Sequence, residues 1–275
     1  MLTISSKIKL LDGNEIPRLG LGVYKSSGAS CEAACVSALE HGYIHIDSAM
    51  GYRNEVDVGR AVKKFKREDL WITSKIDSSK QGYESTLTVV DKSLSELGFE
   101  YIDLYLVHDP LGGKQKRLDT WRALVEAQKA GKVRSIGVSN FNVKHLEEIK
   151  EAGLPTPVVN QIELHPYCQQ RPIAGYCTSH GIILEAYSPL IRGNIEDDVI
   201  KEIAAKKTGG DHFRVLVRWS LQKGYVPLPK SERAEKIKSN ADVYGFELSA
   251  EEMAAIDALD KGKAGSVSWN PVDAE

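Results

Sequence analysis

Cysteine is scarce: the 275-residue chain has 4, with no Cys-x-x-Cys pair and no Cys/His ligand cluster. That excludes a zinc module and a disulfide-built scaffold, and nothing demands an oxidising compartment. Cys31 and Cys35 stand four apart in a helical pattern and read as small buried hydrophobes, so no metal site is expected. Charge of one sign is missing too. Lys+Arg 36 against Asp+Glu 38 leaves a net charge of -2, which excludes a general nucleic-acid surface. The run Lys63-Lys64-Phe65-Lys66-Arg67 is short and reads as a solvated helix end. No window approaches the ~18 apolar residues of a membrane span, and the N-terminus lacks a signal-peptide pattern. A soluble cytoplasmic protein is expected. No linker or low-complexity segment divides the chain, so residues 1–275 read as one domain, long enough to bury a large core.

Two nucleotide-binding patterns are also lacking. Gly20-Leu21-Gly22 gives G-x-G without the third glycine, so the open-sheet dinucleotide fingerprint fails. Leu111-Gly112-Gly113-Lys114 lacks phosphate-loop spacing. No Tyr-x-x-x-Lys pair exists at Tyr24, Tyr83, Tyr105 or Tyr176, which excludes a short-chain dehydrogenase.

What the chain does have is alternation. A hairpin opens it, 7–11 and 15–19 around Asp12-Gly13-Asn14. Apolar runs then recur at 19–24, 44–47, 70–74, 102–107, 135–139, 158–162, 182–187 and 225–228. Helical periodicity lies between them, at 31–41, 55–64, 87–97, 118–128, 142–149, 172–180, 197–206 and 213–222. Continuous apolar runs suit strands buried on both faces, and short connections suit right-handed parallel crossovers. The α/β class is clear, and without the glycine fingerprint a (β/α)8 TIM barrel is preferred to an open sheet, with an N-terminal β-hairpin and a short C-terminal tail.

Barrel enzymes place their chemistry at the C-terminal ends of strands. There the sequence offers Asp47, Lys75, His108, Ser139-Asn140, Gln161, Tyr187-Ser188 and Lys230-Ser231, each closing a mostly apolar run. The loops converge on one face, so these residues become neighbours. Tyr52, in the loop after Asp47, is a phenol whose ordinary pKa of about 10 makes it a poor acid. An ammonium from Lys75 would lower that pKa, and Asp47 would hold Lys75 charged. His108 could bond a carbonyl oxygen. Tyr52 would then be general acid for carbonyl reduction and base for alcohol oxidation. Ser139, Asn140 and Gln161 could match a carboxamide, and Tyr187 offers a flat stacking face. Lys230, Arg233 and Lys236 gather where barrels bind phosphate, and suit a 2′-phosphate.

These residues carry a resemblance. Asp47-Ser48-Ala49-Met50-Gly51-Tyr52-Arg53-Asn54-Glu55 resembles the aldo-keto reductase signature D-x-A-x-x-Y-x-N-E. Trp71-Ile72-Thr73-Ser74-Lys75, Tyr105-Leu106-Val107-His108, Gly137-Val138-Ser139-Asn140-Phe141, Asn160-Gln161-Ile162-Glu163-Leu164-His165-Pro166, Ala186-Tyr187-Ser188-Pro189-Leu190 and Leu228-Pro229-Lys230-Ser231 follow in that family's order. The resemblance implies a (β/α)8 barrel that reduces aldehydes or ketones with NADPH, NADH being the lesser alternative. It implies Asp47, Tyr52, Lys75 and His108 as catalytic residues. For the cofactor it implies Gly22, Val23 and Tyr24 on the first strand, then Ser139, Asn140 and Gln161 on the carboxamide and Tyr187 under the ring. Ser188 and Leu190 fall at the pyrophosphate, with Lys230, Ser231, Arg233, Lys236 and Asn240 at the phosphoadenosine end. A monomer acting on a small carbonyl compound is expected, resembling fungal and bacterial members.

The chain departs from the usual pattern in places. Asp109 stands where an aromatic residue usually follows the histidine. A carboxylate there would favour polar or cationic substrates and raise the imidazole pKa. Lys236 replaces an arginine and lacks its planar fork. The substrate pocket is expected at Tyr24, Met50, Tyr52, His108, Asp109 and Trp269, with Trp269 as a roof on a short tail. Two other readings stay open: a Schiff-base aldolase using Lys75, and a slow cofactor-sensing or scaffold barrel.

Overall fold

The computed structural model describes residues 2–195 and 197–275. Strands β1 (Lys7–Lys9) and β2 (Glu15–Pro17) pair antiparallel with Ile8 opposite Ile16. Their turn forms because the Asp12 carboxylate accepts the Asn14 N–H at 3.0 Å and Gly13 takes φ +90°, which a Cβ would disfavour.

Eight parallel strands follow in sequential order: β3 (Leu21–Gly22), β4 (His45–Asp47), β5 (Trp71–Ile76), β6 (Ile102–Val107), β7 (Val133–Ser139), β8 (Val159–Glu163), β9 (Ile183–Tyr187) and β10 (Val226–Pro227). The sheet closes on itself. The Gly20 N–H donates to Pro227 O at 3.2 Å and the Gly22 N–H to Pro229 O at 3.1 Å. The expected barrel is therefore present. Its first and last strands are shorter than the apolar runs suggest, because only a few backbone bonds carry the ladder there.

The hairpin tells which mouth is free. Leu10 and Ile16 pack with Trp71, Leu104, Val159 and Val226, which lie toward the strand beginnings. They plug the N-terminal mouth, so only the opposite mouth can be open.

The helices wrap outside: α1 (Gly28–Glu40), α2 (Glu55–Val62), α3 (Tyr83–Leu97), α4 (Lys114–Lys129), α5 (Val143–Glu151), α6 (Arg171–Ser179), α7 (Asp198–Lys207) and α8 (His212–Gln222). Two more, α9 (Ala234–Ala241) and α10 (Ala250–Asp257), were not expected as helices. The second had a readable start: Ser249 and Glu252 form a capping box. Helices α2 and α3 approach closely at Gly59, where a Cβ would lie 2.2 Å from Leu97 O.

Candidate active site

Asp47 ends β4, and Lys75 stands next to last on β5. The Lys75 ammonium donates to Asp47 Oδ2 at 2.7 Å and to Ser48 O at 2.8 Å. Both side chains are buried. Tyr52 lies in the single 3-10 turn Met50–Tyr52. Asn54 holds that turn in place: its amide donates to Val23 O and Ser26 O, both at 2.9 Å, while its carbonyl oxygen accepts from Ser48 Oγ at 2.7 Å. So the spacing from Asp47 to Asn54 encodes a locked loop that carries a phenol to the mouth. The Lys75 ammonium lies 5.1 Å from the Tyr52 ring centroid. His108 follows β6, and its ring meets that of Tyr52 edge-on at 5.6 Å.

Burial is the largest influence on each of these groups, and its outcome differs. On Lys75 it works against the charge, but Asp47 and then Tyr52 overcome it, and the ammonium pKa is raised. On His108, burial and then Lys75 act together and push the imidazole down to about 3. On Tyr52, burial outweighs the ammonium and the phenol pKa rises. This corrects two expectations. Lys75 does pull the phenol down, but by less than burial lifts it. Asp109 does not raise His108, because its carboxylate is already committed: it accepts the Ser78 N–H at 3.1 Å and the Leu111 N–H at 3.0 Å. It caps a loop while lining the cavity wall.

A cavity of about 830 Å³ opens at this mouth. Its lining brings together nearly every residue singled out in the sequence. Gly22, Tyr24, Asp47, Tyr52, His108, Asp109, Ser139, Asn140, Gln161 and Tyr187 lie toward the reacting end. Ser188, Leu190, Lys230, Ser231, Arg233, Lys236 and Asn240 extend it along the rim of β9 and β10. Two assignments miss the wall: Val23 is buried in the core, and Met50 packs against it from outside the cavity lining. Lys75 sits behind the wall, reaching it through Asp47 and Tyr52.

The neutral polar residues are pre-set. Ser139 Oγ donates to Gln161 O at 2.8 Å. Asn140, at φ +62°, donates to His108 O at 3.0 Å and accepts from the Tyr187 hydroxyl at 2.8 Å. Gln161 Nε2 bridges Asp47 Oδ1 and Glu185 Oε2, each at 2.9 Å. Among the described residues, no group of three or more His, Cys, Asp and Glu is placed to hold a metal ion.

The tail is strapped across the mouth. One buried carboxylate, Glu163, accepts from His165 Nε2 at 3.0 Å, from Ser266 Oγ, and from the N–H groups of Val267 at 2.7 Å and Ser268 at 3.1 Å. At Gly265 a Cβ would lie 1.8 Å from Tyr167 O, so only glycine lets the strap seat. Trp269 O lies 2.9 Å from the Tyr187 hydroxyl, sharing its single hydrogen with Asn140 Oδ1, and the Trp269 ring stands edge-on to His108 at 6.3 Å. Trp269 is thus a half-exposed roof and not a frayed end.

Sequence reasoning assigned no role to three residues here. Arg192, at φ +52°, brings a cation to the cavity after β9, just beyond the motif that ends at Leu190. Glu163 and Glu185 each place a carboxyl group inside a buried strand. That pattern is itself a signal, since a buried carboxyl group is costly unless it has work to do.

The comparisons agree with this geometry. The model of the Aldo/keto reductase family matches residues 18–261. A glyoxal reductase of Bacillus subtilis is 45% identical over 94% of this chain and 94% of its own length. The crystal structure of an aldo/keto reductase from Brucella melitensis superposes with a TM-score of 0.90 at 43% identity, covering 94% of this chain and all of that one. A mutant of Gox0644 crystallised in complex with NADPH gives a TM-score of 0.93 at 38% identity, covering 98% of this chain and 99% of that one. With a closed eight-stranded barrel, a buried Lys–Asp pair beneath a tyrosine, and a family match across nearly its whole length, this chain belongs to the aldo/keto reductase family.

Proposed function

We propose that this protein reduces small aldehydes and ketones with NADPH, with Tyr52 as proton donor. The cavity suits such a cofactor on its own terms. Its inner end carries amide and hydroxyl groups at Ser139, Asn140 and Gln161, beside the flat ring of Tyr187. Its outer end carries Arg192, Lys230, Arg233 and Lys236, a cation set matched to phosphate groups. Lys230 and Ser231 would hold the 2′-phosphate, Ser188, Leu190 and Arg192 the pyrophosphate, and Asn240 the adenine end. Bound there, the reduced nicotinamide supplies the hydride.

The chain's own residues do the rest. Tyr52 passes its hydroxyl proton to the carbonyl oxygen as negative charge gathers on it. Lys75 stabilises the resulting phenolate, and Asp47 keeps Lys75 charged and aimed. His108, neutral at working pH, donates a hydrogen bond that orients the carbonyl without competing for the proton. Tyr24 and Trp269 flank the mouth as an aromatic wall and roof over the reacting end. In the reverse direction the phenolate takes a proton from an alcohol.

The observation that carries the reading is the line Asp47–Lys75–Tyr52 ending beside His108 in the cavity. The Schiff-base alternative fares worse on the same atoms. Lys75 is fully buried, doubly hydrogen-bonded and held charged, and so has no free lone pair for attack. We read the protein as a monomer. We place it in the cytoplasm, with a small carbonyl compound as its partner. The test is NADPH oxidation followed at its absorbance band, with glyoxal as the first carbonyl and NADH as the control cofactor. Tyr52→Phe should lower kcat by about 10²–10⁴-fold while cofactor binding survives. A Tyr52→Phe variant of full activity would remove the acid from this mechanism.

A further inference from the structure

Glu185 sits in the middle of β9, wholly buried inside the barrel. Its Oε2 accepts from Gln161 Nε2 at 2.9 Å. Among the described residues its Oε1 has no hydrogen-bond partner, and the neighbouring basic group, His45 Nε2, is 3.6 Å away. That nitrogen is itself 3.1 Å from Thr73 Oγ1. An apolar side chain would fill the same space without the penalty of a buried, half-partnered carboxyl group. Stability therefore does not account for Glu185.

Its connections do. Gln161 has two amide hydrogens, and both are used: one on Glu185 Oε2, one on Asp47 Oδ1. Asp47 Oδ2 accepts from Lys75, and Lys75 lies under Tyr52. A continuous line thus runs from β9 through β8 and β4 to β5. Gln161 cannot turn over without losing both bonds. Its carbonyl oxygen is then the atom left to meet a donor from the cavity.

We propose that Glu185 is a positioning residue of the reductase, which locks the Gln161 amide from inside the barrel. Through that amide it fixes the acceptor offered to a carboxamide and the seat of Asp47 against Lys75. This rests on the reductase reading given above. Glu185 touches neither substrate nor cofactor.

Its charge adds a second consequence. The groups facing it are His45 and Asp47 on β4, Thr73 and Lys75 on β5, and Gln161 on β8. Burial first, and then the Asp47 charge, push the Glu185 carboxyl up to about 8, against the pull of Gln161 and Lys75. His45, pushed down to about 3 by burial and then by Lys75, adds no charge. Near neutrality the buried set is therefore Lys75 positive, Asp47 negative and Glu185 protonated. On the alkaline side Glu185 ionises, a second negative charge appears beneath Lys75, and Tyr52 holds its proton harder. Reduction slows there.

The experiment compares Glu185→Gln, which keeps an acceptor and cannot titrate, with Glu185→Leu, which has neither property. The readouts are the Kd of NADPH from fluorescence titration, and kcat and KM for glyoxal reduction across pH. Glu185→Leu should raise the Kd about tenfold, and Glu185→Gln should restore most of that loss. The wild-type kcat should fall on the alkaline side with a midpoint near the value of about 8 given above, and Glu185→Gln should erase that limb. A folded Glu185→Leu variant with wild-type Kd, or an alkaline limb unchanged in Glu185→Gln, would overturn the proposal. If Glu185→Leu does not fold, the pH profile of Glu185→Gln decides. A wild-type protein without NADPH oxidation, or a fully active Tyr52→Phe, refutes the reductase reading instead. Loss of activity in Tyr52→Phe beside indifference at Glu185 refutes only the positioning role.

Discussion

The Lys75 ammonium stands 2.7 Å from the Asp47 carboxylate, with side-chain exposures of 0% and 5%. Two opposite charges are thus held in a low-dielectric interior, where each depends on the other. Removing one leaves the other uncompensated, and that asymmetry gives the first prediction. Asp47→Ala should destabilise the fold by about 3–5 kcal/mol, read from urea midpoints. It should also lower kcat by about 10²-fold or more, because Lys75 loses the partner that keeps it charged. An unchanged urea midpoint would mean the pair carries no such energy.

Stability should fall in mild acid, and the buried histidines say why. His45 and His108 are each pushed down to about 3, by burial first and Lys75 second, and His145 to about 4 by burial. In the unfolded chain each takes up a proton at about 6.5. Between those values the unfolded chain binds more protons, so unfolding free energy rises with pH. The native state has its full advantage above about 6.5 and loses it as pH falls, by about 1.4 kcal/mol per pH unit for each imidazole. His45→Asn should flatten that slope by about one proton, measured by denaturant titration at a series of pH values. An unaltered slope would show that His45 is protonated in the fold.

Which parts of this were legible in the sequence follows from what each signal rests on. The strands at 102–107 and 135–139 were plain because strands buried on both faces must be apolar throughout, and the residues that end them stand out. The Asp47 to Asn54 loop was legible because its chemistry is local: Asn54 and Ser48 bond within a few residues. The Tyr52 balance was not, since burial comes from the surrounding side chains and no spacing reports it. Asp109 misled because one of its two backbone partners, Ser78, meets it only after folding, and the local bond from Leu111 does not by itself reveal a fully engaged carboxylate. The grip of Glu163 on the tail spans more than a hundred residues, from β8 to Ser268, and nothing local announces it.

Cofactor choice should turn on Lys230. It pairs with Glu232 at 3.0 Å, and Glu232 in turn accepts from Ser26 Oγ at 2.7 Å, so the ammonium is held at the rim instead of swinging free. Lys230→Ala should raise the KM for NADPH about tenfold or more and leave the KM for NADH within about twofold, since only the former carries the 2′-phosphate. Arg192→Ala should weaken both cofactors alike, because a pyrophosphate is common to them. Steady-state kinetics with each cofactor separates the two cases. Equal losses for Lys230→Ala would move the phosphate site elsewhere.

The tail strap should set the apparent affinity for the carbonyl compound. Burial works against the charge of Glu163, but the bonds from His165, Ser266 and Val267 prevail and its pKa is lowered. The docked tail is therefore favoured above the ordinary carboxylate pKa of about 4.3 and released as pH falls through the lower folded value. Glu163→Ala removes the acceptor for all four donors at once. The Val267 and Ser268 amides should then exchange faster with deuterium, and Trp269 should leave its place beside His108. The KM for the carbonyl compound should rise about three- to tenfold, while the Kd for NADPH moves less, because the strap covers the reacting end and not the phosphate rim. Amide exchange unchanged in Glu163→Ala would mean that the Tyr187–Trp269 bond alone holds the roof, and that Glu163 is only a buried partner for His165.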